Sequence, residues 1–277
     1  MDNHNSTPEI LSENYRLLQE HVYSEAGIVL GADKHYLFET RLAPIVRQLN
    51  LDSINDLCSF LRATEAKGLR RQVVEAMTTN ETYFFRDPAH YDAIRTVLLP
   101  RLKEDRRDTK RLRFWSAAAS TGQEAYSLAM MLLEEGMGDW NVQILGTDFS
   151  SQVLERARSG TYQQIEVNRG LPASVLVKHF RRWGVDWQLS ETVRRMVSFE
   201  SIDLRQSMRS LGPFDLVFCR NVMIYFDPAT RKGIMQQIHG TLFRGAWLLL
   251  GSTEAASGFE DWFERHTVGN SIVLVAR

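Results

Sequence analysis

The chain has 277 residues, 44% of them hydrophobic and 24% charged, with a formal net charge of −1. That length admits one large or two moderate domains with sizeable cores. The near-neutral balance excludes a protein whose main business is coating nucleic acid or an anionic membrane, and leaves charge recognition to local patches.

The polar start MDNHNSTPEI has no apolar stretch of the kind a leader needs, and WLLL at 247–250 is far too short to span a bilayer, so secretion and membrane insertion are not expected. Cys58 and Cys219 stand far apart without metal-ligand spacing, which fits two buried thiols in a reducing cytoplasm. From about residue 9 to 79 apolar residues recur at helical spacing, as in Leu37, Leu42, Ile45, Val46 and Leu49, and LRRQVVEAMTT adds a further amphipathic stretch. A helical domain over 1–79 is expected, with Asp33 and Ser53 as helix N-caps and Gly27, Gly31 and Gly68 at the breaks. TTNETYFFRDPAHY at 78–91 follows, and its paired phenylalanines suit either a greasy hinge or one wall of a site. The linker is set at 80–95. RLKEDRRDTKRLR at 101–113 interleaves acids with bases and reads as a solvated helix and turn rather than an RNA-binding run.

Over 96–277 the pattern changes to short apolar runs, RFWSAAA, VQILGTD, VSFESID, FDLVFCR, WLLLGS and SIVLVAR, alternating with helices such as QEAYSLAMMLLEEGM. Runs apolar on both faces predict a doubly wound, mostly parallel α/β sheet. Ligands of such sheets sit beyond the carboxyl ends of the strands, so chemistry is sought there.

After the first run, the small residues from Ser116 to Gly122 let backbone approach a ligand, and Ser120 or Thr121 suits a cap for the next helix. The pattern is not GxGxxG, the turn a dinucleotide pyrophosphate requires. Glu124 has two readings, a favourable helix-start carboxylate or a partner for an ammonium group. Asp148 likewise either caps the helix SSQVLERARS or meets ribose hydroxyls, since it follows Gly122 at roughly the offset, about 20 residues, of the acid in nucleotide folds. Together the two acids describe a pocket for a ribose and an amino group without phosphate, which is S-adenosylmethionine. At the fourth run, Arg220 and Asn221 end a buried stretch. Phe226 reads as core and Tyr225 as a ring that a sulfonium would face.

NETYFFRD, WSAAASTGQEAYSLAM, GTDFS and GPFDLVFCRNVMIYFD, in this order along nearly the whole chain, resemble the chemotaxis receptor glutamate methyltransferases of the CheR type. The resemblance implies a Rossmann-like class I methyltransferase domain, an N-terminal all-α receptor-docking domain and a small β-hairpin subdomain, here at about 180–199. It implies that Asn80, Thr82 and Arg86 reach from the linker to the cofactor, that Ala118 and Gly122 border it, that Glu124 holds its amino group and Asp148 its ribose. Arg220, Asn221 and Val222 fall on the remaining wall. Members carry an Asn-Leu pair beside the adenine; here Asp203 and Leu204 stand in its place, which keeps a side-chain acceptor and removes an amide donor.

The implied reaction moves the methyl of S-adenosylmethionine to a glutamate of a chemoreceptor's cytoplasmic helical bundle, with Arg86 and Tyr225 as the catalytic pair. A glutamate with a pKa of about 4.3 is already ionised, so no general base is needed. The acceptor would be held in line with the S–CH3 bond, and Arg86 would orient it. Phe84 and Phe85 would fasten the helical domain to the sheet. Arg41, Arg47, Arg62, Lys67, Arg70 and Arg71 are candidates for meeting acidic receptor helices. The region RRWGVDWQLSETVRRMVSF is short and poor in glycine, which favours action without a receptor tether. A cytoplasmic monomer is expected. The alternatives are a non-catalytic sensor of S-adenosylmethionine or S-adenosylhomocysteine, and a methyltransferase acting on RNA or a small amine. Against the latter, RNVMIYF lacks the prolines of amine-gripping motifs.

Overall fold

In the computed structural model, which describes residues 10–31, 33–63 and 67–277, the chain divides into two compact units. One holds the chain up to Thr79 together with Tyr225–Asp227; the other holds Asn80–Ile224 and Pro228–Arg277. The first nine residues, for which no leader is expected, lie outside the described residues.

The first unit is built from α1 (Ser12–Ala26), α2 (His35–Gln48), α3 (Ile54–Ala63) and α4 (Lys67–Met77). Their apolar stripes meet in a core that includes Leu18, Phe38, Leu42, Leu57 and Val73. Gly27 ends α1 in the left-handed conformation, φ 69°, and its N–H closes on the Tyr23 carbonyl. Ser53 caps α3 as expected, accepting from the Asp56 amide at 3.1 Å. Asp33 does not cap α2: the flanking position is Lys34, and the Asp33 carboxylate pairs with that lysine instead.

The docking candidates separate on their partners. Arg41 donates to the carbonyls of Met77 and Thr78 at the C-terminal end of α4, Arg70 to that of Leu61 near the end of α3, and Arg71 pairs with Glu75. Arg41 and Arg70 each satisfy carbonyls near the end of a neighbouring helix, where final-turn carbonyls lack intrahelical donors, and Arg71 pairs within α4. Arg47, Arg62 and Lys67 are exposed. Within this unit the Tyr225 carbonyl accepts from the Val29 amide at 2.9 Å, and Tyr23 donates to Asp227.

The second unit opens with α5 (Pro88–Ala93), a π-helical turn (Ile94–Leu98) and α6 (Leu99–Asp105), so the charged run at 101–113 is helix, turn and the start of a strand. Then come β1 (Arg111–Ala117), α7 (Gln123–Glu134), β2 (Asn141–Asp148), α8 (Ser151–Ser159), β3 (Thr161–Tyr162), α9 (Gln164–Val167) and α10 (Ala173–His179). The chain continues through β4 (Phe180–Trp183), β5 (Asp186–Leu189), α11 (Glu191–Arg195), β6 (Val197–Ser201) and β7 (Phe214–Cys219). It ends with α12 (Pro228–His239), β8 (Leu242–Leu250), β9 (Phe263–Val268) and β10 (Ser271–Ala276).

Seven strands form one sheet in the order β6-β2-β1-β7-β8-β10-β9, parallel from β6 to β8 and antiparallel at β10 and β9. All six strands expected from the apolar runs are present. The unexpected β9 is an edge strand whose FERHTV sequence is mostly exposed, so it carries charge where a central strand carries core. From β1 the chain runs outward through β2 to β6, then returns to β1's other side as β7. The switch in strand order therefore lies between β1 and β7, where such sheets open a crevice.

β4 and β5 form the hairpin, joined by β3 into a small antiparallel sheet. It ends at Leu189; beyond it α11 and β6 return to the main sheet. Trp183 and Val185 at its tip are exposed. Cys58 and Cys219 are both buried, and burial pushes the Cys58 thiol up to about 11. Among the described residues no helix is long and apolar enough to cross a membrane.

His90 is buried, its Nδ1 lying 2.6 Å from the Ser271 hydroxyl. Burial, with the positive charge of Arg220 adding to it, holds this histidine down to about 4. An unfolded histidine takes up its proton near pH 6.5. The unfolded chain thus binds more protons in between, and stability falls as pH drops from about 6.5 toward 4. In urea unfolding, the wild type is expected to lose about 2 kcal/mol more than His90→Gln between about pH 7 and pH 5.

Candidate active site

The crevice is bordered by the segments that follow β1, β2 and β7 and by the Asn80–Asp87 stretch. The segments after β1 and β7 and the Asn80–Asp87 stretch carry strained backbone. Among the described residues seven non-glycine residues have positive φ, and Phe85, Asp87, Ala118, Ser120 and Asn221 are five of them. Such conformations cost about 1–2 kcal/mol each and persist where the surroundings hold them, typically at functional sites.

After β1, Gly122 adopts φ 92°, and a Cβ there would come within about 3.1 Å of Ala157, Phe199 and Tyr126. Only glycine fits. It also flanks α7, so the expected side-chain cap is absent: Ser120 Oγ donates to the Asn80 carbonyl and Thr121 to Gln123. Alanine, leucine and methionine drive α7, and Glu124 falls in its first turn. The Glu124 carboxylate accepts from Ser116 Oγ at 2.6 Å and from Arg220 Nη1 at 2.8 Å. Burial pushes this carboxyl above its ordinary value, with Arg220 and Ser116 opposing.

Arg220 is the hub of the site. Its side chain is 1% exposed, and beyond Glu124 it donates to Asp87 and to the Arg86 carbonyl, both at 2.7 Å. Burial alone would raise Asp87, but the hydrogen bond and charge of Arg220 leave it below the usual carboxylate range. Arg220 thus faces inward, as a fastener between β7, α7 and the Asn80–Asp87 stretch.

Asp148, at the end of β2, accepts from the Ser120 and Ser150 amides. The α8 cap is Ser150. The Asp203 carboxylate, expected as a side-chain acceptor, accepts from Arg205 at 2.7–3.1 Å. Leu204 is buried. Asn221 and Val222 follow β7, and their amides donate to Glu254.

Phe84 is fully buried against Tyr162 and Phe180, and Phe85 packs on Tyr91, so both rings belong to the packing of the sheet unit. Burial of Phe84 alone contributes roughly 1.5–3 kcal/mol. Asn80 and Thr82 line a cavity of about 360 Å³ with Thr121, Gln123, Arg156 and Arg169. Arg86 donates to the Glu81 carbonyl and stands over the Tyr83 ring at 5.6 Å. Tyr225 is grouped with the helical unit.

The sequence reading missed Asp87 and Glu254. Glu254 lies just beyond the β8 run, within WLLLGSTE, where the strand-end rule would have found it.

Residues 80–271 match the family model described as CheR methyltransferase, SAM binding domain, and residues 13–78 the one described as CheR methyltransferase, all-alpha domain. The chemotaxis protein methyltransferase Cher2 of Pseudomonas putida is 37% identical, covering 98% of this chain and 100% of its own. Chemotaxis protein methyltransferase 1 of Pseudomonas aeruginosa is also 37% identical, over 95% of this chain and 98% of its own. Among solved structures, a TehB-like SAM-dependent methyltransferase from Corynebacterium glutamicum covers 68% of this chain and 97% of its own at 13% identity and a TM-score of 0.37, too slight a likeness to carry an argument. Two family models that together span most of the sequence, and relatives alike over nearly its whole length, lead to one conclusion: the chain belongs to the CheR methyltransferase family and uses S-adenosylmethionine.

Proposed function

We propose that the protein methylates glutamate side chains on the cytoplasmic helices of chemoreceptors, as a cytoplasmic monomer, giving γ-methyl esters. The observation that carries this reading is the convergence of Glu124, Asp148 and the Asn80–Asp87 stretch on strained backbone beside the switch between β1 and β7. The relatives' names supply the chemotactic setting.

The residues suit the donor. Glu124 keeps lone pairs beyond those taken by Ser116 and Arg220, so it has room for one more donor, an amino group. Asp148 would take the ribose, the backbone at Ala118 and Gly122 admits close approach, and Asn221 and Val222 form a further wall. Asp203 and Leu204 remain the candidates beside the adenine, with Asp203 held in place by Arg205. When bound, S-adenosylmethionine supplies a methyl group on a positively charged sulfur. The acceptor carboxylate is ionised at neutral pH, so the protein removes no proton. Its work is orientation: Arg86 aligns the carboxylate, and Tyr225 is kept as the aromatic candidate for stabilising the sulfonium. Arg220 acts at one remove, by fixing Glu124. Arg47, Arg62 and Lys67 are the better candidates for acidic receptor helices.

Incubation with methyl-labelled S-adenosylmethionine and a panel of chemoreceptor cytoplasmic fragments tests the reading. Base-labile label on receptor glutamates is expected; cofactor binding with no label on any fragment would favour the sensor. In the same assay Arg86→Ala is expected to lower turnover about 100-fold, with little change in affinity for S-adenosylhomocysteine. Equal losses in both would remove Arg86 from its role.

A further inference from the structure

Glu254 lies four residues past the end of β8, and its carboxylate receives four backbone N–H groups. Oε2 accepts from Asn221 at 2.7 Å and from Gly251 at 2.6 Å; Oε1 accepts from Val222 at 2.9 Å and from Met223 at 2.8 Å. Three of the donors are consecutive and begin the turn after β7, where successive amides form a concavity suited to an anion. The fourth belongs to the end of β8, which pairs with β7 up to Cys219 and Leu250.

The surroundings fit this clasp closely. A Cβ on Gly251 would lie 2.6 Å from the Asn221 side-chain nitrogen and 2.8 Å from Glu254 Oε2, so a larger residue there would have to displace those two side-chain ends. The Glu254 amide turns back to the Gly251 carbonyl at 2.9 Å, which aims the side chain at the amides. Asn221 itself sits at φ 57°, a conformation the clasp holds against its own preference.

We propose that Glu254 is a positioning residue of the methyltransferase site: it fixes the backbone of Asn221 and Val222 and thereby the wall those residues present to S-adenosylmethionine. This rests on the assignment of Asn221 and Val222 to the cofactor wall. The proposal concerns acceptor chemistry. Four donors need four lone-pair sites, which only an ionised carboxylate of this length provides. In Glu254→Gln one oxygen becomes an amide nitrogen whose hydrogens oppose two backbone N–H groups, with the side-chain shape unchanged.

Calorimetry with S-adenosylhomocysteine on the full chain is the test, joined to amide hydrogen exchange without ligand. Glu254→Gln is expected to weaken binding at least about ten-fold, with faster exchange confined to the amides of Asn221, Val222, Met223 and Gly251. Glu254→Asp keeps the charge one methylene short and is expected to fall between wild type and the glutamine variant, so it decides the matter should the latter fail to fold. A merely structural acid would speed exchange across the sheet and leave the order glutamate, aspartate, glutamine without meaning for affinity. Wild-type binding with variants within about two-fold of it overturns the role of Glu254 and leaves the cofactor assignment standing. A wild type that does not bind S-adenosylhomocysteine removes the assignment, and this inference with it.

Discussion

Arg220→Met is expected to lower stability by about 3–5 kcal/mol, the range found when one partner of a buried ion pair is removed. Methionine fills much of the volume, so the loss reports charge rather than a cavity. Glu124 and Asp87 would remain with only 12% and 23% of their side chains exposed and no cation between them. Lysine cannot stand in, because one guanidinium reaches Glu124, Asp87 and the Arg86 carbonyl along three separate directions. The pH dependence carries a definite sign. Without Arg220 both carboxyls have folded pKa values raised above their unfolded ones, and such groups favour the folded state only when protonated. The deficit against wild type is therefore expected to narrow as pH falls through the carboxylate range. Urea midpoints measured for both proteins at about pH 7.5 and pH 5 check it; a constant or widening gap would show that the ion pairs are not what the arginine contributes.

Gly170→Ala is expected to cost about 2–4 kcal/mol, although the residue lies in an exposed loop between α9 and α10. Its φ is 81°, and a Cβ would stand 2.0 Å from the Phe84 carbonyl oxygen and 3.1 Å from the Tyr83 ring. Left-handed strain accounts for about 1–2 kcal/mol, and displacement of the Phe84 backbone for the rest. Gly184 separates the two effects. It has φ 61° with nothing within 4 Å, so its alanine variant carries the strain alone, about 1 kcal/mol. Chemical denaturation of both variants checks the difference. Since the Gly170 variant displaces backbone that carries Thr82 and Arg86, it is also expected to bind S-adenosylhomocysteine more weakly, whereas the Gly184 variant is not.

The architecture was legible where one physical rule dominated. The inner strands β2, β1, β7, β8 and β10 announced themselves because burial on both faces demands continuous apolar runs, and Ser53 because a serine before an amphipathic stretch satisfies free amides. β9 escaped because its charged residues face water. Arg41 and Arg70 looked like docking charges because sequence shows a charge and not its partner; both cap helix ends. The same blindness hid the centre of the site. Arg220 and Glu124 stood out separately as strand-end and helix-start residues, but nothing in their spacing says that one neutralises the other. Nor does sequence show that Arg205, two residues on, folds back over the Asp203 acceptor.

The stretch from Asn80 to Asp87 is tied down along its length: the Asn80 carbonyl accepts from Ser120, the Phe85 amide donates to Ser127, and the Arg86 carbonyl accepts from Arg220. Gly170 presses against Phe84 between them. A backbone so anchored cannot serve as a swinging lid. Passage on this side of the crevice is therefore expected to depend on side-chain rotation rather than on the microsecond-to-millisecond loop openings that limit release in many enzymes.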